Sequence, residues 1–297
     1  MIFAMGPESV AIKAQKDGVL VLGASGKLGR MALRVWQSMA GQHPGIIPVF
    51  RRGSTTGAGV IWQPGHAVPQ LDGIQTIVAF WGVTPGPGRI LQDNAHLAVA
   101  AMELAKALGA DRVLHCSSGA VYGNRASPLR ESSPCAPAHP YGIAKLQREQ
   151  AVRQWQDQTP RAPRACFLRI GNVAGAESLF AALKRDGPVT LDRFSDGLGP
   201  QRSYIGPEDL ARACQALLQS GLDCLPDVVN IAAPRPTAMA SLARAAGKQV
   251  VWRPAPTTAI QTVHLDTTRL DQILPLDDTA AAADTLVSQW RKWRDTP

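Results

Sequence analysis

Ser118, Tyr141 and Lys145 are the residues whose types and spacing could move a proton. Tyr141 and Lys145 stand four positions apart in "YGIAK", and positions i and i+4 share one face of a helix. A free tyrosine titrates near pH ~10 and is a poor base at neutral pH. A neighbouring ammonium favours the phenolate. Lowering the tyrosine pKa by ~3 units requires ~4 kcal/mol, and one close cation at low effective dielectric is of that order. The Tyr/Lys pair by itself also fits an ordinary helix, so the case depends on what positions it.

The elements that must do so alternate. "GVLVL" (Gly18–Leu22) is a short apolar strand, and Leu28, Met31, Ala32, Val35 and Met39 follow at helical spacing. "IIPVF" (Ile46–Phe50), "TIVAF" (Thr76–Phe80), "RVLHC" (Arg112–Cys116), "ACFLRI" (Ala165–Ile170) and "VVNIA" (Val228–Ala232) read as further strands. Helices are expected over Asn94–Leu108, stopped by Gly109, over Tyr141–Gln156, and from Pro207 to Gly221. Near-continuous apolar strands alternating with helices predict an α/β fold: a doubly wound parallel sheet of the Rossmann kind with a small C-terminal substrate-binding part. The expected division is an N-terminal extension at 1–16, a dinucleotide-binding domain at 17–175 and 203–232, and a small substrate-binding domain at 176–202 and 233–297. In the small part, 176–202 reads as a short helix among loops, and 233–297 as two short helices, one strand and a final helix. Leu286, Val287, Trp290 and Trp293 stripe that final helix, a docking face toward the same chain or a second subunit.

The first strand runs into "GASGKLG", with glycines at 23, 26 and 29. A glycine-rich turn between a strand and a helix brings backbone N–H groups and a helix N-terminus against a pyrophosphate, where side chains would block the approach. The expected contacts are Gly23, Ser25, Gly26, Lys27, Leu28 and Gly29. The second strand ends in Arg51 and Arg52, where an acidic residue would hold the ribose hydroxyls of NAD. Guanidinium groups there suit a 2′-phosphate, so NADP(H) is expected in preference to NAD(H). In a doubly wound sheet the ligand crevice lies at the carboxyl edge of the strands, where Ser118 ends its strand and the Tyr141 helix begins.

"SSGAVYG", "YGIAK", "LRIGNVAG", "RSYIGPEDLA" and "VVNIA" resemble, in order, the motifs of the extended short-chain dehydrogenase/reductases, the NAD(P)-dependent epimerase/dehydratase family. The resemblance spans roughly residues 18–232. It implies Tyr141 as acid/base, Lys145 as its tuner and ribose ligand, and Ser118 as hydrogen-bond donor to the substrate oxygen. It further implies Asn172 and Arg202 as contacts to a substrate pyrophosphate, and Asn94 as a structural asparagine. Trp81 stands in "FWG" where the family carries "HLA", which sets it beside the cofactor and reduces space. Gln63 stands near the place of an acidic adenine contact. Gly119 and Ala120 replace the Asp-Glu pair of sugar-nucleotide 4,6-dehydratases, so that activity is not expected.

The whole chain sets outer bounds. It has 297 residues, 45% of them hydrophobic, and a formal net charge of +8. The Lys and Arg residues are scattered, which speaks against nucleic acid and fits a small anionic ligand. No apolar run reaches the ~18–20 residues of a membrane helix. Five widely spaced cysteines without a Cys-x-x-Cys pair suit a reducing, cytoplasmic compartment, and the histidines lack metal spacing. The leading expectation is an NADP(H)-using enzyme acting on a sugar nucleotide or related carbonyl or alcohol, with a homodimer allowed. A reductase of a small non-nucleotide carbonyl compound and a non-catalytic NADP(H)-binding regulator are the alternatives.

Overall fold

A computed structural model describes residues 17–39, 45–51, 59–125 and 128–294. The extension expected at 1–16, and Arg52, lie outside the described residues. The first half runs β1 (Gly18–Leu22), α1 (Lys27–Ser38), β2 (Ile46–Phe50), β3 (Val60–Ile61), β4 (Ile74–Ala79), α2 (Asp93–Ala107), β5 (Arg112–Ser118) and α3 (Pro140–Asp157). Then come β6 (Arg164–Ile170), β7 (Asn172–Val173), α4 (Ser178–Leu183), β8 (Val189–Arg193), β9 (Gln201–Ile205), α5 (Pro207–Gln219) and β10 (Val228–Ile231). The chain closes with β11 (Pro236–Ala238), α6 (Met239–Ala245), β12 (Val250–Pro254), β13 (Thr262–Val263), α7 (Thr268–Asp271) and α8 (Ala283–Trp293).

The main sheet has seven parallel strands in the order β10-β6-β5-β4-β1-β2-β3. The order reverses between β1 and β4, and that switch point opens a crevice at the strands' carboxyl ends. The central strands are apolar throughout because both faces are covered. On one face α1 and α5 meet Val19, Val21, Val78, Leu114 and Leu168. On the other, α2 and α3 meet Leu20, Leu22, Ile77, Val113 and Phe167. The helix at Pro207 starts where expected: proline needs no amide partner there, and Glu208 and Asp209 occupy its first turn.

The small C-terminal part carries more strand than its sequence suggests. β11, β9 and β13 form a sheet to which β7 adds beside β9, and β12 pairs with β8. Where one strand was expected after residue 233 there are three, and β8 forms in the segment read as helix and loops. These strands are two to five residues long, too short for an alternating pattern to declare itself. The α8 stripe docks onto its own chain. Leu286, Val287 and Trp290 are buried, Trp290 meets Phe180 edge-on, and Trp293 Nε1 donates to Glu208 Oε1 at 2.8 Å. Among the described residues no helix is long and apolar enough to cross a membrane.

Candidate active site

The glycine turn joins β1 to α1 at the switch point. Gly23 has φ +82°, and a Cβ there would stand 2.5 Å from the Trp81 backbone nitrogen, which itself donates to Leu22 O at 3.1 Å. A Cβ on Gly29 would meet the Gly23 carbonyl oxygen at 2.2 Å. One glycine therefore makes the turn, and another seats the helix against it. Gly26, which has no side chain to cap with, is the N-cap of α1, and no acidic residue lies in the first turn of that helix. Ser25, Gly26 and Lys27 are exposed, while Leu28 is half-buried against the core. An open helix N-terminus with bare glycine backbone fits the pyrophosphate of a dinucleotide.

Two observations bear on the rest of a dinucleotide. Leu22 pairs with Val49 in β2, so the register brings Arg51, exposed, to the edge beside the turn. Trp81, two residues past the end of β4, is buried and stacks on Trp62 with ring centroids 5.9 Å apart. Neither indole N–H has a partner among the described residues. Gln63, the expected stand-in for an adenine contact, is bonded through its amide to His66 at 2.8 Å. Trp62 was not foreseen; its one signal in the sequence was an aromatic residue directly after a short apolar pair.

Ser118, Tyr141 and Lys145 come together. Ser118 ends β5, and its hydroxyl accepts from the Ala120 amide at 3.2 Å, capping the short turn of 3-10 helix that follows. Tyr141 takes a side-chain hydrogen bond from Ser118. Lys145 Nζ lies 5.6 Å from the Tyr141 ring centroid and donates to Cys116 O at 2.9 Å. Pro140 at the first helical position and a Gly142 pressed against Ala120 O set α3 on the β5 end. Burial pushes the Tyr141 phenol up to about 12, against the pull of the Ser118 bond and Arg148. Burial brings Lys145 down to about 8. Arg148 thus adds a second cation to the surroundings of the Tyr141 phenol, beside the Lys145 ammonium.

Arg148 was not foreseen as part of the site. It is fully buried, with Nη1 donating to Trp81 O at 2.8 Å and Nη2 to Ala79 O at 3.2 Å. The signal was available: Tyr141, Lys145 and Arg148 fall at steps of four and three, one face of a helix, and a charged residue on a buried face asks for a reason. Behind it, Glu149 forms a two-point pair with Arg169, whose side chain also lies 4.9 Å from the Tyr122 ring centroid. Tyr122 OH donates to Asn230 Oδ1 at 2.7 Å, which makes this tyrosine structural. Asn94 is structural as expected, holding Val83 and Leu91 backbone groups. His115 is a core residue held neutral by burial and by Arg148 and Lys145.

Asn172 and Arg202 stand on neighbouring strands, β7 and β9, of the second sheet. Asn172 of β7 pairs with Tyr204 of β9 and bonds its hydroxyl. Arg202 is half-buried; its guanidinium donates to the carbonyls of Gln201, Gln261 and Ile260 at 2.7, 2.8 and 2.9 Å. It is held by backbone from the segment before β13, with no carboxylate on it among the described residues. Leu265 lies between the two halves: a Cβ on Gly119 would stand 3.1 Å from its side chain.

Known proteins resemble this chain in sequence and in shape. A UDP-glucose 4-epimerase of Azospirillum brasilense is 43% identical over 70 residues, 23% of this chain and 20% of that protein. A UDP-glucose 4-epimerase of Lacticaseibacillus casei is 30% identical over 112 residues, 36% of this chain and 33% of that protein. The matched segments thus span a third or less of those relatives. A short-chain dehydrogenase/reductase superfamily protein of Agrobacterium tumefaciens, solved with bound NAD, superposes with a TM-score of 0.73 at 20% identity, covering 93% of this chain and 97% of the other. Residues 80–232, just over half the chain, match the NAD dependent epimerase/dehydratase family. With the switch-point crevice, the glycine turn and the Tyr141–Lys145 helix in place, the chain belongs to that family.

Proposed function

We propose that the protein is an extended short-chain dehydrogenase/reductase that uses a nicotinamide dinucleotide on a sugar nucleotide or a closely related carbonyl or alcohol. The observation that carries this reading is the convergence of Ser118, Tyr141 and Lys145 beside the glycine turn. Gly23, Ser25, Gly26, Lys27, Leu28 and Gly29 would hold the pyrophosphate. Trp81, Tyr141 and Lys145 would hold the nicotinamide half. When bound, the dinucleotide supplies hydride transfer. Ser118 orients the substrate oxygen, and Tyr141 Oη takes or gives its proton. Lys145 and the positive surroundings favour the phenolate during the transfer. Gly119 and Ala120 carry no titratable group, and Leu265 covers Gly119, which supports epimerisation or simple redox chemistry over 4,6-dehydration.

NADP(H) in preference to NAD(H) rests on Arg51 and Arg52, since guanidinium forks suit a 2′-phosphate. A UDP-sugar is supported by the names of the two sequence relatives and by the placement of Asn172 and Arg202 on the adjoining strands β7 and β9. The small-carbonyl reductase keeps a specific support of its own: Trp81 and Trp62 fill space beside the turn. Fluorescence titration with NADP(H) and NAD(H), followed by turnover of UDP-sugars and small carbonyl compounds, tests both. Tighter NADP(H) binding and conversion of a UDP-sugar are expected. Equal or tighter NAD(H) binding removes the preference, and turnover of small carbonyls alone moves the substrate to that class.

A further inference from the structure

Arg148 lies on α3, three positions after Lys145 and seven after Tyr141, and its side chain has no exposed surface. Its guanidinium reaches Trp81 O, Ala79 O and, at 3.4 Å, His115 Nδ1. It forms no ion pair with any described residue, and its Nε has no partner. The adjacent carboxylate, Glu149, is occupied by Arg169 and by the Ser117 hydroxyl. A second cation stands close by: a Cβ on Gly82 would be 3.4 Å from Arg148 Nη1 and 3.5 Å from Lys145 Nζ. Burying a charge without a counter-charge costs several kcal/mol. An apolar residue of similar length would fill this space without that penalty. Two buried cations on one helix face, with no carboxylate paired to either among the described residues and the Glu149 that acts on both already held by Arg169, therefore ask for a role.

We propose that Arg148 is a positioning residue of the proton-transfer site: it clamps α3 to the Ala79 and Trp81 carbonyls and holds a permanent positive charge beside Tyr141 and Lys145. The inference rests on the catalytic reading given above. The clamp has a direct structural consequence. Trp81 O is held by Arg148, and Trp81 N by the Leu22 carbonyl at the start of the glycine turn. One residue thus ties the catalytic helix to the nucleotide turn. The charge has a chemical one. Lys145 can lose its proton, whereas a guanidinium cannot in a protein, so Arg148 keeps the site positive where Lys145 becomes neutral. The direction agrees: Arg148 acts to lower both Lys145 and Tyr141, behind burial as the larger influence on each. The other groups around them are His115 and Cys116 of β5 and Glu149 of α3, with Arg169 of β6 beyond Glu149. The β4 end contributes backbone, and α2 contributes the neutral Asn94.

The test uses the full chain and the variants Arg148→Gln and Arg148→Lys. Trace acetylation with acetic anhydride across a pH series, read by peptide mass spectrometry, reports the titration of Lys145 without substrate or turnover. In Arg148→Gln the Lys145 midpoint is expected to shift upward from about 8; in Arg148→Lys it should stay near that of the unmodified protein. An unchanged midpoint in a folded Arg148→Gln protein overturns the proposal. If the neutral variant does not fold, the alkaline limb of turnover in Arg148→Lys decides. A titratable lysine in place of the fixed charge should move that limb to lower pH, and an unmoved limb overturns the idea. Because labelling requires no turnover, failure to find any sugar-nucleotide substrate would refute the functional reading and leave this measurement standing.

Discussion

Glu149 and Arg169 form a buried two-point pair beneath the site, with Arg169 Nη2 2.8 Å from Glu149 Oε2 and Nε 3.1 Å from Oε1. The pair fastens α3 to β6, and Ser117 Oγ adds β5 at 2.5 Å from the same carboxylate. Breaking such a pair from one side leaves an uncompensated buried charge. Glu149→Gln should therefore destabilise the fold by ~3–5 kcal/mol. Urea unfolding checks this, and a loss below ~1 kcal/mol would mean that solvent reaches Arg169.

Tyr141→Phe removes the hydroxyl that meets Ser118 and leaves the ring and Lys145 in place. Dinucleotide binding should persist, and turnover should fall by ~10²–10⁴, the usual contribution of general acid–base catalysis. Near-normal turnover would show that another group moves the proton.

Lys145 carries a stability cost that depends on pH. Its pKa falls from 10.5 to about 8 on folding, so between those values the unfolded chain binds more protons and stability rises with pH. Below about pH 8 the buried ammonium costs at most ~3–4 kcal/mol, taking ~1.4 kcal/mol per unit. Lys145→Met should lose turnover and melt higher than the parent protein at pH 7. That advantage should shrink as pH rises from about 8 toward 10.5. Melting curves at several pH values test the trend; an advantage that grows with pH would reverse the sign argued here.

Gly23 tolerates no side chain. Its φ of +82° and the 2.5 Å approach that a Cβ would make to Trp81 N both oppose Gly23→Ala. The substitution should destabilise the protein by ~1–3 kcal/mol from backbone strain and weaken dinucleotide binding. Calorimetric titration beside a thermal melt separates the two effects. Unaltered affinity would remove the turn from the cofactor site.

Arg202→Ala tests the substrate handle. Should its guanidinium also meet a substrate phosphate, KM for a UDP-sugar rises by the equivalent of ~1.5–3 kcal/mol, the range for a hydrogen bond to a charged group. A lowered melting temperature with unchanged KM would confine Arg202 to holding the Gln261 and Ile260 carbonyls.

The sequence made some of this legible and concealed the rest. Long periodic elements announced themselves, and α2, α3 and α5 begin or end within two residues of the expected positions. The glycine turn was readable because strand, glycines and helix come in one stretch. Arg148 was passed over because an arginine among the Gln, Glu and Arg residues of its helix reads as solvated, although its place on the Tyr141–Lys145 face marked it. The strands β7 and β13 were invisible at two residues each. Trp62 and Trp81 lie 19 positions apart in "WQP" and "FWG", and their stacking exists only once β3 and β4 are placed on either side of β1 and β2 in the sheet.

The docking of α8 also shapes the order in which the molecule can be assembled. Trp293 packs on the cluster that includes Met31 and Trp36, and Gln289 bonds the Asp209 carboxylate and the Glu208 amide. These contacts join positions separated by 80 to more than 250 residues, and such long loops must close before their contacts stabilise anything. A growing chain would expose the apolar surface of α1 and α5 that α8 covers until that helix emerges. During that interval the nascent protein would be most open to aggregation and to chaperone capture.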